Sequence, residues 1–473
     1  MHNIEKNVKI YLEKIKNNIK SYKLTEKNEK MLYEVFAYIA IAYILISESL
    51  IYYFNIAFFR YSDEIVVLAS FFIMVFAGLR GRVYISKQDY TITKLLITIV
   101  IIGLLSNLIF KVETSITTII IDLYLYLKIF IAYICLKIIL NKEKCIKILK
   151  NLLMPSKVFL GFAFVCGIIS LFCDIGMSGS VRFGIRSFCF IFEHQHSLAI
   201  AIWMSLLIIM CSNSKYKKVY LIMAIVCEIL TTKGPSLIIG ILSIFCIKYF
   251  EKNKKILLKT WMILGLACCV IGSFQIRNYL INEKAPRHLF FKYSIITATE
   301  YFPLGSGFAT FGSDMAAKKY SDLYVKYGFE PLHGMGRENG NFLNDTYWPM
   351  IIGQFGFLGL IMMGYIFYIL YNQIMNFKRS DLKAILFLTI FYFFIHSIGS
   401  AVLTSSIGVF AFIIIAIVIR ANMDDYTHNW KELKVKSICS KIKQIMKKVI
   451  DMIKQATTSD YITLNINKSK TIK

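Results

Sequence analysis

Six cations stand apart in a chain otherwise dominated by apolar runs: Arg182, Arg186, Lys233, Arg277, Arg287 and Arg337. All fall in stretches that the hydropathy pattern assigns to the side of a membrane where Lys and Arg are normally sparse. A guanidinium fork matches a phosphate or diphosphate bidentately, so several such cations converging at a membrane surface would hold a lipid-linked diphosphate head group. Taken singly, each is an ordinary solvated or snorkelling charge. The other polar cluster is "EHQH", with Glu193, His194 and His196 at the start of an apolar run. Histidines two apart on a helix point to different faces and no third ligand stands beside them, so the sequence assigns no metal and no cofactor. Most of the 11 cysteines lie within apolar runs as small hydrophobes. Only Cys173 and Cys189, which flank a short loop, are placed to pair, and there is no CxxC or zinc pattern.

The elements that position these residues follow from composition. A chain of 473 residues that is 57% hydrophobic, with a mean hydropathy of +0.58, is an all-α, polytopic helical membrane protein. The formal net charge of +26 is not the footprint of nucleic acid, because the excess Lys and Arg fall at the chain ends and in alternate loops. With 6 prolines, no Gly/Ser-rich linker and no internal repeat, positions 31–420 read as one integral domain. The need for about twenty apolar residues per span predicts about twelve transmembrane helices, near 34–59, 64–79, 93–110, 115–140, 157–174, 188–211, 219–231, 235–250, 259–276, 346–371, 382–398 and 401–420. Loops holding Arg80, Arg82 and Lys87, and Lys142 through Lys150, share a side with the N-terminus, so both termini are expected in the cytoplasm. No cleavable signal pattern precedes the first span. Segment 1–30 and the tail 421–473 read as basic amphipathic stretches on the cytoplasmic face of the lipid bilayer.

One long polar excursion interrupts this scaffold, the extracytoplasmic loop 277–345. It carries "RHLFFKYSIITATEYFPLGSGFATFGS" and "YVKYGFEPLHGMGRENGNFLND", and it runs into the helix start "TYWPMIIGQFGFLG". Loops on a rigid scaffold are where binding and chemistry concentrate. Short helices are predicted within it over "HLFFKYSIITATEYF" and "SDMAAKKYSDLYVKYG". Asp345 stands at the loop-to-helix junction, a natural N-cap, with Pro349 in the first turn.

Four stretches together resemble the O-antigen ligase and O-antigen polymerase superfamily of bacterial envelope glycosyltransferases. "YFPLGSGFATFGS" looks like that family's P-x-x-G-x-G-x-x-T/S-F signature, and "RFGIRSFCFIFEHQHSLAIAI" its R-x-x-G-x-x-x-x-x-N-x-x-A loop and helix. "LTTKGPSLIIGIL" is similar to its T-x-S-R-G-x turn, and "DTYWPMIIGQFGFLG" to its H-N-x-x-L-x-x-x-x-E-x-G-x-x-G helix start. The likeness covers positions 157–371, in family order. It implies a metal-independent glycosyltransferase in the bacterial cytoplasmic membrane, acting on undecaprenyl-diphosphate-linked oligosaccharide, with a flippase and a chain-length regulator as partners. An acceptor sugar hydroxyl would displace the lipid diphosphate outside the membrane and lengthen a polysaccharide by one repeat unit. A ligase that moves a finished glycan to another acceptor is the alternative.

The resemblance implies diphosphate binding by Arg182, Arg186, Lys233 and Arg287, and substrate contacts from Glu193, His194, His196 and Arg337. Aligned on "QFGFLG", Asp345 falls where many members have an active-site histidine, Gln354 where they have glutamate, and Lys233 where they have arginine. Asp345 is then the expected proton acceptor, with His333 as the alternative. Glu48, Asp122, Lys128 and Glu228 fall inside spans, where ionisable groups often line a pathway. They favour a rival reading, a transporter or lipid-linked oligosaccharide flippase. Polar mass on one face and the lack of repeated halves weigh against it.

Overall fold

Several helices in this chain begin where a side chain takes up one of the first free N–H groups. In a computed structural model, which describes residues 26–79, 85–182 and 184–423, Ser86 accepts from the Asp89 amide at 3.0 Å and Asn141 from the Lys144 amide at 2.9 Å. These caps open α3 (Lys87–Phe110) and α5 (Lys142–Phe172). Before them stand α1 (Glu26–Phe54) and α2 (Ser62–Leu79), and α4 (Ile116–Ile139) lies between. A two-stranded antiparallel hairpin follows, β1 (Ser178–Arg182) and β2 (Ile185–Phe188), with Val181 opposite Arg186. Then come α6 (Gln195–Cys211), α7 (Lys217–Leu230), α8 (Gly234–Lys252) and α9 (Leu258–Ile271). After a 65° bend, α9 continues into the helical segment Ser273–Ile281. The last elements are α10 (Pro286–Glu300), α11 (Asp314–Lys319), α12 (Asp322–Lys326), α13 (Tyr347–Met375), α14 (Ser380–His396) and α15 (Ser406–Asn422). The expected segment 1–30 lies outside the described residues up to position 25, as do Arg80, Arg82 and the basic tail from position 424.

Among the described residues, seven helices are long and apolar enough to cross a membrane, or eight if α9 and its bent continuation form one span. The count of twelve is therefore not reached on length and composition. The reason is geometric: α6, α14 and α15 have 17 residues each and α7 has 14, and at about 1.5 Å per residue none reaches the roughly 30 Å of a hydrocarbon core. The shortest helices are not peripheral. In α15 every residue from Ile407 to Ala421 is buried, and it packs against α1, α4, α5 and α6.

Several ionisable groups inside the bundle are bonded. Lys128 reaches Asp63 at 2.5 Å, and Lys137 reaches Asp89 at 2.7 Å. Asp122 Oδ2 accepts from the Ala309 amide at 2.7 Å and from Gln354 Nε2 at 3.1 Å. These ions hold helices and loops together, as buried charges must if they are to offset desolvation. Cys173 and Cys189 are free thiols.

The segment between α10 and α13 builds its own small core from Phe290, Phe311, Tyr324, Phe329, Met335 and Leu343. A helix was expected over "SDMAAKKYSDLYVKYG", but Tyr320 takes a left-handed φ of 53° and splits it into α11 and α12. The glycine-containing stretch "PLGSGFATFGS" is buried from Gly305 to Gly312. It inserts where α13 is interrupted at Gly356, whose φ of 63° and ψ of −166° are non-helical. Freed carbonyls of α13 then accept from the loop, Gly353 from the Ser306 amide and Gln354 from the Gly307 amide, both at 2.9 Å. Asn107 of α3 brackets Phe308, accepting from its N–H at 2.7 Å and donating to its carbonyl at 3.0 Å. A Cβ at Gly305 would collide with Gly356 N and sit 2.6 Å from Gln354 O.

Gly305→Ala is accordingly expected to cost at least about 3 kcal/mol through overpacking and backbone strain. Gly265→Ala in α9, where a Cβ meets nothing within 4 Å, should be neutral or stabilising by up to about 1 kcal/mol. Thermal unfolding of the two variants in detergent checks this, and equal melting points would deny that the two backbones need this close approach.

Candidate functional site

A proline at the start of α10 pre-sets the helical turn, and Arg287 follows it immediately. The Arg287 side chain turns toward the residues before α13, where Nη2 and Nε donate to Asp345 Oδ2 at 2.7 Å and 3.1 Å. Two more contacts fix the guanidinium. Its Cζ lies 4.8 Å from the centre of the Tyr279 ring, a cation–π arrangement. Its flat face lies against Gly399, where an added Cβ would be 3.4 Å from Cζ. The N-cap of α13 is Thr346 and makes no side-chain cap. Asp345 is thus not the N-cap expected from its position, because its carboxylate is taken by Arg287.

Lys233 enters from the turn between α7 and α8, the "TTKGPS" stretch, where Thr232 has a φ of 53° and Pro235 opens α8. Arg182, the last residue of β1, lies within electrostatic reach of Lys233, as do Arg287 and Asp345. Burial pushes the Lys233 ammonium below its ordinary range, and the nearby Arg182 and Arg287 push it the same way. Burial raises the Asp345 carboxyl, while Arg287 and Lys233 pull it back down. Arg287 and Lys233 thus act on one carboxylate, with Arg182 close to Lys233; with all three cations protonated the group carries about two excess positive charges, enough to balance one diphosphate diester.

Of the other residues singled out in the sequence, Arg186 turns away and meets Asp174 at 3.5 Å, with both side chains about half exposed. His333 packs on Phe342, ring centres 6.1 Å apart, and Arg337 lies 5.0 Å over the Tyr320 ring. Both therefore make their contacts inside the segment between α10 and α13. His194 and His196, expected to face apart, stack with ring centres 5.3 Å apart and planes within 19°. The reason is that His194 precedes the first turn of α6 and has extended backbone angles. Glu193 is exposed. The His194 N–H donates to Glu48 Oε1 at 3.4 Å, so Glu48 of α1 caps α6 from outside. Among the described residues, no three His, Cys, Asp or Glu are grouped as metal ligands. Gln354 lies in the buried Asp122 network.

An apolar groove with a cavity volume of about 600 Å³ runs along α13. Leu280 and Phe291 form one wall, Trp348, Ile352 and Gly364 of α13 the floor, and Phe394 and Ile398 the other wall. Leu280 adjoins Tyr279 and Ile398 adjoins Gly399, the two residues that hold the Arg287 guanidinium. Sequence reasoning did not name Tyr279, Gly399 or His396, whose ring centre lies 5.9 Å from that of His196. The one available signal was the polar break "HSIGS" between two apolar runs.

No family model matches this chain, and no curated protein matches it.

If Lys233 contributes its charge to anion binding, affinity for an anionic lipid should fall as pH rises, at a lower pH than an ordinary lysine would titrate, because burial and two neighbouring guanidinium groups favour its neutral form. Lys233→Arg should move that alkaline limb upward. Titrating binding of a lipid diphosphate against pH for both proteins checks the sign. A limb unmoved by the substitution would remove Lys233 from the site.

Proposed function

We propose that this protein is a membrane glycosyltransferase that polymerises the repeat units of a bacterial cell-surface polysaccharide, a capsule, exopolysaccharide or O-antigen. The observation that carries this reading is the grouping of Arg182, Lys233, Arg287 and Asp345, together with an apolar groove whose Leu280 and Ile398 are the sequence neighbours of the two residues that hold the Arg287 guanidinium. A lipid-linked diphosphate needs both features at once, cations for its head and an apolar channel for its chain. Arg182, Lys233, Arg287 and Asp345 all fall within positions 157–371, the part of the chain that carries the resemblance to the O-antigen polymerase and ligase superfamily.

In this reading the twelve long and short apolar helices all lie in the bacterial cytoplasmic membrane, both termini are cytoplasmic, and the clamp faces outward. Undecaprenyl diphosphate carrying a glycan lies with its isoprenoid chain in the groove and its two phosphates among the cations. The acceptor hydroxyl of another lipid-linked unit attacks the anomeric carbon. A new glycosidic bond forms, the bond from that carbon to the diphosphate oxygen breaks, and the electron pair leaves with the diphosphate. Arg287 and Lys233 stabilise the charge that develops on that oxygen, preorganised in a partly dehydrated site. Asp345 sets the direction of the guanidinium fork. No cofactor or metal enters the scheme, and a flippase that delivers the donor and a chain-length regulator are the expected partners. A ligase would use the same clamp and differ in its acceptor. The transporter reading loses support, since Asp122 and Lys128 are engaged in structural bonds rather than lining a path.

Purified protein given only an undecaprenyl-diphosphate-linked repeat unit should yield a ladder of products with release of undecaprenyl diphosphate. Arg287→Ala should abolish it, and Arg287→Lys should recover only part, because the fork geometry is lost. No ladder from an authentic substrate, with movement of that substrate across vesicles, would establish a transporter instead. Gly364→Trp tests the groove separately. A Cβ there meets nothing within 4 Å, so the ring should fill the groove without disturbing the fold. It should raise KM at least tenfold for the full-length lipid and little for a short-chain analogue, and equal effects on both would empty the groove of its assigned occupant.

A further inference from the structure

Behind the clamp lies a run of buried polar groups that the scheme above does not use. Tyr392 and His396 stand one turn apart at the end of α14, with ring centres 5.1 Å apart. Tyr392 neighbours Ser236 of α8 and Glu228 of α7, and Glu228 neighbours Ser236 in turn. All four residues are buried. His396 Nδ1, the Tyr392 hydroxyl, Ser236 Oγ and both carboxylate oxygens of Glu228 meet no partner at full hydrogen-bonding distance and angle, although Ser236 lies close enough to interact with both Tyr392 and Glu228. Buried polar atoms are rarely left unmade, so four such residues in one place call for ordered water between them. On its other side, His396 meets the site: its ring is near His196 and within electrostatic reach of Lys233 and Arg287.

We propose that His396 is the proton acceptor of the glycosyl transfer, a role the sequence suggested for Asp345 or His333. The inference rests on the transferase reading. As the acceptor oxygen bonds to the anomeric carbon, its proton passes to His396 Nε2, while the diphosphate oxygen departs with the electron pair of the broken bond. In the proposed state Nδ1 carries the ring's own proton and the Nε2 lone pair is free. Asp345 is poorly placed for the task, since its Oδ2 already receives two N–H groups of Arg287. His333 lies in the separate core of the segment between α10 and α13. The groups that face the imidazole are Lys233 before α8, Arg287 of α10, His196 of α6, and Tyr392 of its own helix. Two of these are cations. A bound diphosphate offsets both charges at the moment a proton has to be taken up.

The test is steady-state chain extension by the full-length protein, with binding of undecaprenyl diphosphate measured alongside. His396→Gln should lower kcat by about 10²–10⁴-fold and leave both KM and lipid binding within about twofold, as expected of a group acting only in the chemical step. Added imidazole should restore part of the activity of His396→Ala. Tyr392→Phe keeps the ring packing against His396 but removes the inward hydroxyl, and should lower kcat about tenfold at constant KM, the lower end of what a misoriented base forfeits. A wild-type kcat in His396→Gln, a parallel loss of lipid binding, or no rescue by imidazole would each overturn the proposal. Should the His396 variants fail to fold, an unchanged kcat in Tyr392→Phe rejects it, and a reduced kcat at constant KM supports it. A wild-type protein that forms no product fails the transferase reading itself. A wild-type protein that extends chains beside an equally active His396→Gln fails only this assignment.

Discussion

Two backbones approach more closely than any side chain would allow where Gly305 meets Gly356, and the site depends on that contact. An unbroken α13 would use the Gly353 and Gln354 carbonyls internally. The interruption at Gly356 releases them, and the Ser306 and Gly307 amides take them up. The loop is thereby fixed to the first turns of α13, and Asn107 and Asp122 fasten it to α3 and α4. Because α10 leads into this loop and Asp345 leads into this helix, the two ends of the Arg287–Asp345 pair are carried by one rigid joint. Precision in the clamp comes from elements, not from a flexible loop, as preorganised electrostatics require.

The sequence was most legible where a signal is local and summed over many residues. Helical membrane character follows from the apolar runs alone. Lys233, Arg182 and Arg287 were visible as cations out of place. Pairing was not visible. Nothing within a few residues of Asp345 says that its carboxylate will be taken by an arginine 58 positions earlier, so the cap role looked adequate. Arg186 and Arg337 carry the same charge as Arg287, and only the fold turns them toward Asp174 and Tyr320 instead.

Length and burial also compete in ways that composition conceals. The runs 188–211 and 401–420 read as spans, yet the helices found there have 17 residues each and are almost wholly enclosed by protein. The glycine-containing motif was read as part of a functional loop. Gly305 is needed there because backbone meets backbone.

The enclosed position of α15 bears on biogenesis. This helix is synthesised after every element it packs against, yet it fills the space between α1, α4, α5 and α6. The earlier helices must enter the bilayer with that space closed by lipid or by loosely associated neighbours, and they reach their final spacing only when α15 displaces what is there. Ser406 at its start then donates to Asp63 of α2, linking the newest helix to one of the oldest. Quality control at the insertion machinery would therefore meet an incomplete bundle for most of the time the chain is being made, and commitment to the mature form comes late.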